Sequence, residues 1–406
     1  MHLNLGPENY SPALLDKIVH AGGNESSFHD AADRLARLAD LDLSESDVWK
    51  FTVRIGGELQ ALRDRAVDQY NRTGEVDDPV PNTPPVAAVS VDGGRVQMRA
   101  EAAGRGVHQP RWREPRYGSL LRLSAPKTDT DPHPEVPRAF LDEAHVRALT
   151  DEIHSPCRGG RPKTSAPHRP PKPPADPPSP KPERLVETCV ASMAPAEEFG
   201  ALVAAEARRR QFHKAPQRGF LGDGQPSNWT IQEFHFPDWT PILDFIHLLT
   251  YLFTAARAAR PKGPSAWTLY VRLVTAAWRG EAHRVLALLT REAQRLGDLA
   301  PDTPADDPRR ILQETLRYVR NNLARMDYPA YRAGGLPVTT CFIESLVKRF
   351  NRRVKASDKF WVQPSLEAVL QVRAACLSED QRWEKFWLTR SRRLAAASRP
   401  YRARAS

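Results

Sequence analysis

Eleven prolines fall between Pro156 and Pro182, interleaved with Lys, Arg and His. Proline fixes φ and removes a backbone donor, so a stretch this dense cannot build the ladders that hold a core. It is expected to stay extended or disordered as an insertion, and any folded unit must be assembled from the segments flanking it. A shorter boundary, Asp77 to Pro85 with four prolines, divides the amino-terminal region from the rest. At 406 residues and 40% hydrophobic content the chain can fill two or three real cores.

Residues 9 to about 70 have helical periodicity. Ser11-Pro12 precedes Leu14, Leu15 and Ile18; Ser26-Ser27 precedes Ala31, Leu35 and Leu38; Ser44 opens a third helix. Three short helices form either a helix-turn-helix module or a small bundle used for packing or dimerisation. Beyond the linker, 86–91, 96–99 and 120–123 are expected to be the strands of a meander, with a helix at about 141–153. Pro195-Ala-Glu-Glu198 starts a helix running to about Arg210, with acids suited to its first turn. Short strands at 219–221 and 241–243 follow, and strand, helix, strand at this spacing implies parallel pairing. From Ile246 to about Met326 the pattern is almost entirely helical. Trp278 lies there at core spacing with Trp267, Tyr270, Leu273 and Val274; its alternative use is base stacking.

Three acids stand where chemistry is expected. Asp92 ends the apolar run Val86-Ala-Ala-Val-Ser-Val91, Asp223 follows Gly219-Phe-Leu-Gly222, and Glu344 lies in the helix-like Phe342-Ile-Glu-Ser-Leu-Val-Lys348. Two acids at strand ends and one on a helix can meet at one sheet edge, where they would repel one another without a cation. Paired divalent ions would relieve that repulsion and clamp the oxygens of a phosphodiester. The plain alternative is surface carboxylates, because the chain has 49 acids. Glycines around Asp92 and Asp223 keep bulk away from a phosphate backbone or simply punctuate loops. Asp244 and His247 share a face if a helix begins near Asp244; they either orient a phosphate or serve as a helix-start aspartate and a hydrogen-bonded histidine.

Read in order, Val89-Ser-Val-Asp-Gly-Gly-Arg95, Trp112-Arg-Glu-Pro-Arg-Tyr-Gly118, Gly219-Phe-Leu-Gly-Asp-Gly-Gln-Pro-Ser-Asn-Trp229, Leu243-Asp-Phe-Ile-His247, Tyr328-Pro-Ala-Tyr-Arg-Ala-Gly-Gly-Leu-Pro337, Gly335-Leu-Pro-Val-Thr-Thr-Cys-Phe-Ile-Glu344 and Lys348-Arg-Phe-Asn-Arg-Arg-Val-Lys355 resemble bacterial DDE transposases of the ISKra type, a Mutator-like related insertion-sequence family. The similarity covers most of residues 84–361, with Ala356 standing where the pattern has glycine. The resemblance implies an α/β fold: an RNase H-like mixed-sheet catalytic core with an all-α insertion and an N-terminal helical region. The implied boundaries are 1–78 for the helical region, 84–245 for the first part of the core with the Pro-rich insertion at 155–183, 246–335 for the all-α insertion, 336–361 for the catalytic-Glu helix, and 362–406 for a C-terminal helical segment and basic tail. Asp92, Asp223 and Glu344 would be the catalytic triad holding two Mg²⁺ or Mn²⁺ ions, with Asp244 and His247 as accessory Asp-x-x-His residues. The implied activity is transposase action on double-stranded DNA, at terminal inverted repeats and target, by a homo-oligomer. The alternatives are a nuclease or resolvase on the same core and a catalytically silent DNA-binding derivative.

Charge fits a polyanionic partner: 59 Lys and Arg against 49 acids give +10. Lys348, Arg349, Arg352, Arg353 and Lys355, on the Glu344 helix and its exit, are candidate phosphate contacts, although Lys348 is also an i,i+4 partner of Glu344. The arginines from Arg390 to Arg404 are expected to form a flexible tail. No apolar run is long enough for a membrane span, and four scattered cysteines support neither disulfides nor a zinc site. A reducing cytoplasm is therefore expected, and the resemblance implies a bacterial, nucleoid-associated location.

Overall fold

The computed structural model describes residues 10–99, 111–124, 127–154, 182–261, 264–356 and 359–397. The expected disordered insertion lies outside these except for its last two positions, as do Arg399, Arg402 and Arg404 of the tail. The elements are α1 (Pro12–Asn24), α2 (Phe28–Ala39), α3 (Glu45–Thr73), β1 (Val86–Gly93), β2 (Val96–Met98), β3 (Arg111–Arg113), β4 (Arg116–Ser124), α4 (Glu143–His154), β5 (Glu183–Ser192), α5 (Ala196–Arg209), β6 (Gln217–Gly222), α6 (Pro226–His235), β7 (Thr240–Leu243), α7 (Phe245–Ala259), α8 (Ser265–Trp278), α9 (Ala282–Leu296), α10 (Pro308–Asn322), α11 (Tyr328–Ala333), α12 (Cys341–Val354), β8 (Phe360–Trp361), α13 (Gln363–Leu377) and α14 (Arg382–Ala397).

The serines that mark helix starts in the sequence do cap them. Ser11, Ser27 and Ser44 accept from the N–H groups of Leu14, Asp30 and Asp47, donors that no intrahelical carbonyl can reach. The third helix is not short: α3 spans 29 residues and packs along α13. Arg353 and Arg373 donate to the carbonyls of Gly22 and Gly23, tying α1 to α12 and α13. Arg390 does not belong to a flexible tail either; it is buried in α14 and paired with Glu58 of α3.

A five-stranded mixed sheet, in the order β5-β4-β1-β6-β7, forms the centre. β1 is antiparallel to β4 and parallel to β6, and β6 is parallel to β7 as the strand-helix-strand spacing implied. The expected meander does not form. β1 pairs directly with β4, Val86 opposite Leu123, while β2 leaves to join β3 and β8 in a second sheet, β3-β2-β8. Alternation marks a strand but not its partner, and the partner of β2 across the parallel pair is Phe360–Trp361, far along the chain. β5 escapes a pattern search because Glu187, Thr188 and Ser192 interrupt its apolar run, yet all three are buried and bonded, to Ser119, Asp380 and Glu367.

Successive side chains of β4 face opposite layers. Tyr117 stacks on Phe350 of α12 with ring centroids 4.6 Å apart, whereas Gly118 lies against Phe199 and Val203 of α5. α7 to α11 pack together beside β7, and Tyr328 and Tyr331 donate to the carbonyls of Leu243 and Pro241. Trp278 belongs to this packing and not to a stacking surface. It is 4% exposed, its Nε1 donates to His133 O at 2.8 Å, and the Arg332 guanidinium lies 4.0 Å above its ring.

An ion network ties α5 to α14 and its approach. Burial opposes ionisation of Glu206, but Arg382 and Arg210 prevail and hold its pKa at about 2 against an ordinary 4.5. A carboxyl depressed in the fold adds stability that is complete above its unfolded pKa and is lost as pH falls towards the folded one. Between pH about 4.5 and about 2, Glu206 is expected to withdraw on the order of 3 kcal/mol. In acid titrations of denaturant stability, Glu206→Gln should flatten that segment of the curve; wild-type steepness in the variant would refute the assignment.

Candidate active site

The central pair of parallel strands brings the first two acids together. In the β1–β6 register Ser90 faces Leu221, so Asp92 and Asp223, each two residues further on, leave adjacent strands at the same carboxyl edge. Neighbouring strands run about 4.8 Å apart, so the charge of Asp223 bears on the carboxyl of Asp92. Burial, and then the charge of Asp223, push the Asp92 pKa up to about 7; the Gly93 N–H donating to Oδ1 at 2.7 Å and the charge of His247 pull the other way, and Glu344 adds to the rise. Gly94 allows the turn after Asp92, since a Cβ there would sit 2.7 Å from the Tyr117 ring.

Asp223 is aimed by its own loop. Its Oδ1 accepts from the Gln225 N–H at 3.0 Å and from Asn228 Nδ2 at 2.9 Å. Tyr318 of α10 donates to the Asp223 carbonyl at 2.8 Å and stacks on Tyr251, centroids 4.0 Å apart. Gly224 has φ +97°, and any side chain on it would strike the Tyr318 ring. Tyr318 carries no signal in the sequence that ties it to Asp223.

Asp244 does more than start a helix. Fully buried at the end of β7, it caps α7 by accepting the His247 N–H at 2.9 Å, contacts His247 Nδ1 at 2.6 Å with the same Oδ2, and accepts the Thr340 N–H on Oδ1 at 2.7 Å. Phe245 N–H donates to Val338 O at 3.0 Å. The helical block therefore leaves and re-enters the core at one point, which is how Glu344, 121 positions beyond Asp223, returns to the site. Burial opposes the Asp244 charge, yet the His247 hydrogen bond and charge hold its pKa below the usual carboxylate range. Burial likewise opposes protonation of His247, but Asp244, with help from Asp223 and Glu344, raises its pKa to about 9.

Glu344 sits in the first turn of α12, which lies against β1 and β4. Burial, then the charge of Asp244, raise its pKa, with His247 and Lys348 opposing. Its Oε1 is buried and finds no hydrogen-bond partner among the described residues. Ligand atoms of Asp244, His247 and Glu344 lie within 4.8 Å of one another. The structure thus brings the accessory pair to Glu344; the predicted triad is not itself gathered at that spacing, and Asp92 and Asp223 join the cluster through their charges. Asp92 with a pKa near 7 and an orphaned oxygen on Glu344 mark a site short of positive charge, which a divalent cation with oxygen ligands would supply.

The basic residues divide. Arg353 is 1% exposed, lies 4.3 Å over the Phe28 ring and donates to Gly22 O, and burial lowers its pKa to about 10. It cannot reach a phosphate, contrary to the expectation from its neighbours, because α12 turns that face inward. Arg349 pairs with the buried Glu187, and Lys348 pairs with Glu152 in place of Glu344. Arg352 is exposed and Lys355 half-buried. Ala356 is not among the positive-φ residues, so the turn there does not require glycine.

Among the described residues no helix is long and apolar enough to cross a membrane. No protein-family model matches the sequence, and no curated protein matches it.

Proposed function

We propose that this chain is a DNA transposase with an RNase H-like core interrupted by the α7–α11 block, cutting element ends and joining them to target DNA. The observation that carries the reading is the convergence of Asp92, Asp223 and Glu344 on one charge field, from two adjacent strand ends and one returning helix. The mixed five-stranded sheet with β1 at its centre supports the same reading.

Asp92, Asp223 and Glu344 would hold two Mg²⁺ or Mn²⁺ ions, which when bound supply an activated oxygen nucleophile and neutralise charge on the phosphodiester. The chain's own residues do the rest. Gln225 and Asn228 hold one oxygen of Asp223 in place, so its carboxylate meets the ligand without reorganising. Asp244 holds His247 by Nδ1, leaving Nε2 as the nitrogen that can hold a proton towards a phosphate oxygen. Arg352 and Lys355, at the exit of α12, contact the backbone phosphates of the bound strand.

A labelled duplex carrying the DNA end that flanks the gene, mixed with supercoiled target and Mg²⁺, tests the reading. Joined product is the expected result. Cleavage without joining would replace it with a nuclease or resolvase, and binding alone with a silent DNA-binding protein. In the same system Arg352→Gln with Lys355→Gln is expected to weaken binding to every sequence and to reduce the slope of log affinity against log salt by about 1 to 2. Arg353→Gln should leave that slope unchanged; a drop equal to that of the double variant would return Arg353 to the surface.

A further inference from the structure

The β2–β3 ribbon carries a surface that the acid cluster does not use. It leaves the main sheet at Gly93–Gly94, directly after Asp92, and its base is closed where the Gly94 N–H donates to Pro115 O at 2.8 Å, next to the Asp92–Tyr117 pair. β2 anchors it: Val96, Gln97 and Met98 are all buried, and the Gln97 amide donates to Ala356 O. β3 is an edge strand of the small sheet, and its three residues, Arg111, Trp112 and Arg113, are all exposed, Trp112 at 38%. Alternation puts the two arginines on one side of the strand and the indole on the other. Arg95 is exposed just before β2, and among the described residues neither it nor Arg111 or Arg113 has an acidic partner. Glu114, next in sequence, lays its carboxylate against Gly93.

Charged side chains along an edge oppose the addition of another strand, so a second protein chain is a poor occupant. Arginines next to a partly exposed indole suit a nucleic-acid strand, whose phosphates release counterions to the guanidinium groups and whose unpaired bases present a stacking face.

We propose that the ribbon is a DNA-binding arm: Arg95, Arg111 and Arg113 contact the phosphates of the strand that enters beside Asp92, and Trp112 stacks on an unpaired base of that strand. The inference rests on the reading of the acid cluster as a DNA-processing site, and it adds a preference for locally unpaired DNA.

The test uses the full chain, a labelled blunt duplex and the same duplex with a mismatched, frayed end, in EDTA so that no cleavage intervenes. Wild type is expected to bind the frayed end about tenfold more tightly, from one stacked base. Trp112→Ala should erase that preference, Trp112→Phe should retain most of it, and Arg111→Gln with Arg113→Gln should lower the salt slope by about 1 to 2. Melting temperatures of the variants matching wild type show that the fold is intact. Equal binding of both duplexes by wild type, or an unchanged preference in Trp112→Ala, overturns the arm. Trp112-dependent sedimentation with phosphatidylserine vesicles in the absence of any frayed-end preference would assign the ribbon to a membrane surface and also overturns it. Strand joining by a protein that fails this test would sink the arm alone, whereas a frayed-end preference without cleavage or joining would sink the catalytic reading alone.

Discussion

Asp223→Asn is expected to reduce Mg²⁺-dependent strand cleavage by about a thousandfold, roughly 4 kcal/mol of transition-state stabilisation, while DNA affinity measured without cleavage changes little. The amide keeps the shape of the side chain, and its oxygen can still accept from Gln225 N–H and Asn228 Nδ2, so the loop after β6 has no reason to move. Tyr318 holds the same loop through the Asp223 backbone carbonyl, which the substitution leaves in place. What disappears is one negative charge from the cluster that raises the pKa of Asp92. The variant should therefore bind Mn²⁺ more weakly, read as a smaller metal-induced rise in melting temperature. Cleavage at the wild-type rate would remove Asp223 from the chemistry. His247→Ala should cost less, because the three carboxylates that would hold the ions, Asp92, Asp223 and Glu344, stay in place and only the ring held by Asp244 is lost.

Trp278→Ala is expected to destabilise the fold by about 3 to 5 kcal/mol, the range for deleting a large buried aromatic. The indole packs edge-on to Phe245 at 4.8 Å, covers the guanidinium of Arg332 and satisfies the His133 carbonyl through Nε1. Truncation leaves a cavity, removes the Nε1 donor to His133 O and leaves a buried cation with less cover. Because Phe245 is the first residue of α7 and bonds to Val338, the damage should reach the point where the helical block meets the core. Denaturant unfolding monitored by circular dichroism measures the loss. A change below about 1 kcal/mol, accompanied by weakened binding to unpaired DNA, would restore Trp278 as a stacking residue.

The amino-acid sequence alone determined the local elements and the residues around which the site is built. Ser11, Ser27 and Ser44 announce their helices because a cap is a contact within a few residues. The apolar runs ending at Asp92 and Asp223 announce strands for the same reason, and Asp244 with His247 is legible because an i,i+3 pair is defined by one helical turn. What lay beyond the sequence was every decision that joins distant segments. The departure of β2 to pair with β8, the burial of Glu187 within β5, the inward turn of Arg353 onto Gly22 and the grip of Tyr318 on Asp223 each depend on partners far apart in the chain. Neither periodicity nor charge density distinguishes the buried Arg353 from the exposed Arg352 beside it. That distinction comes from which face of α12 meets α1, and the same packing, through the Asp244–Thr340 bond, places Glu344 beside His247. Short-range order follows from backbone geometry and neighbouring side chains, whereas convergence of a site needs the long-range contacts that only the folded chain provides.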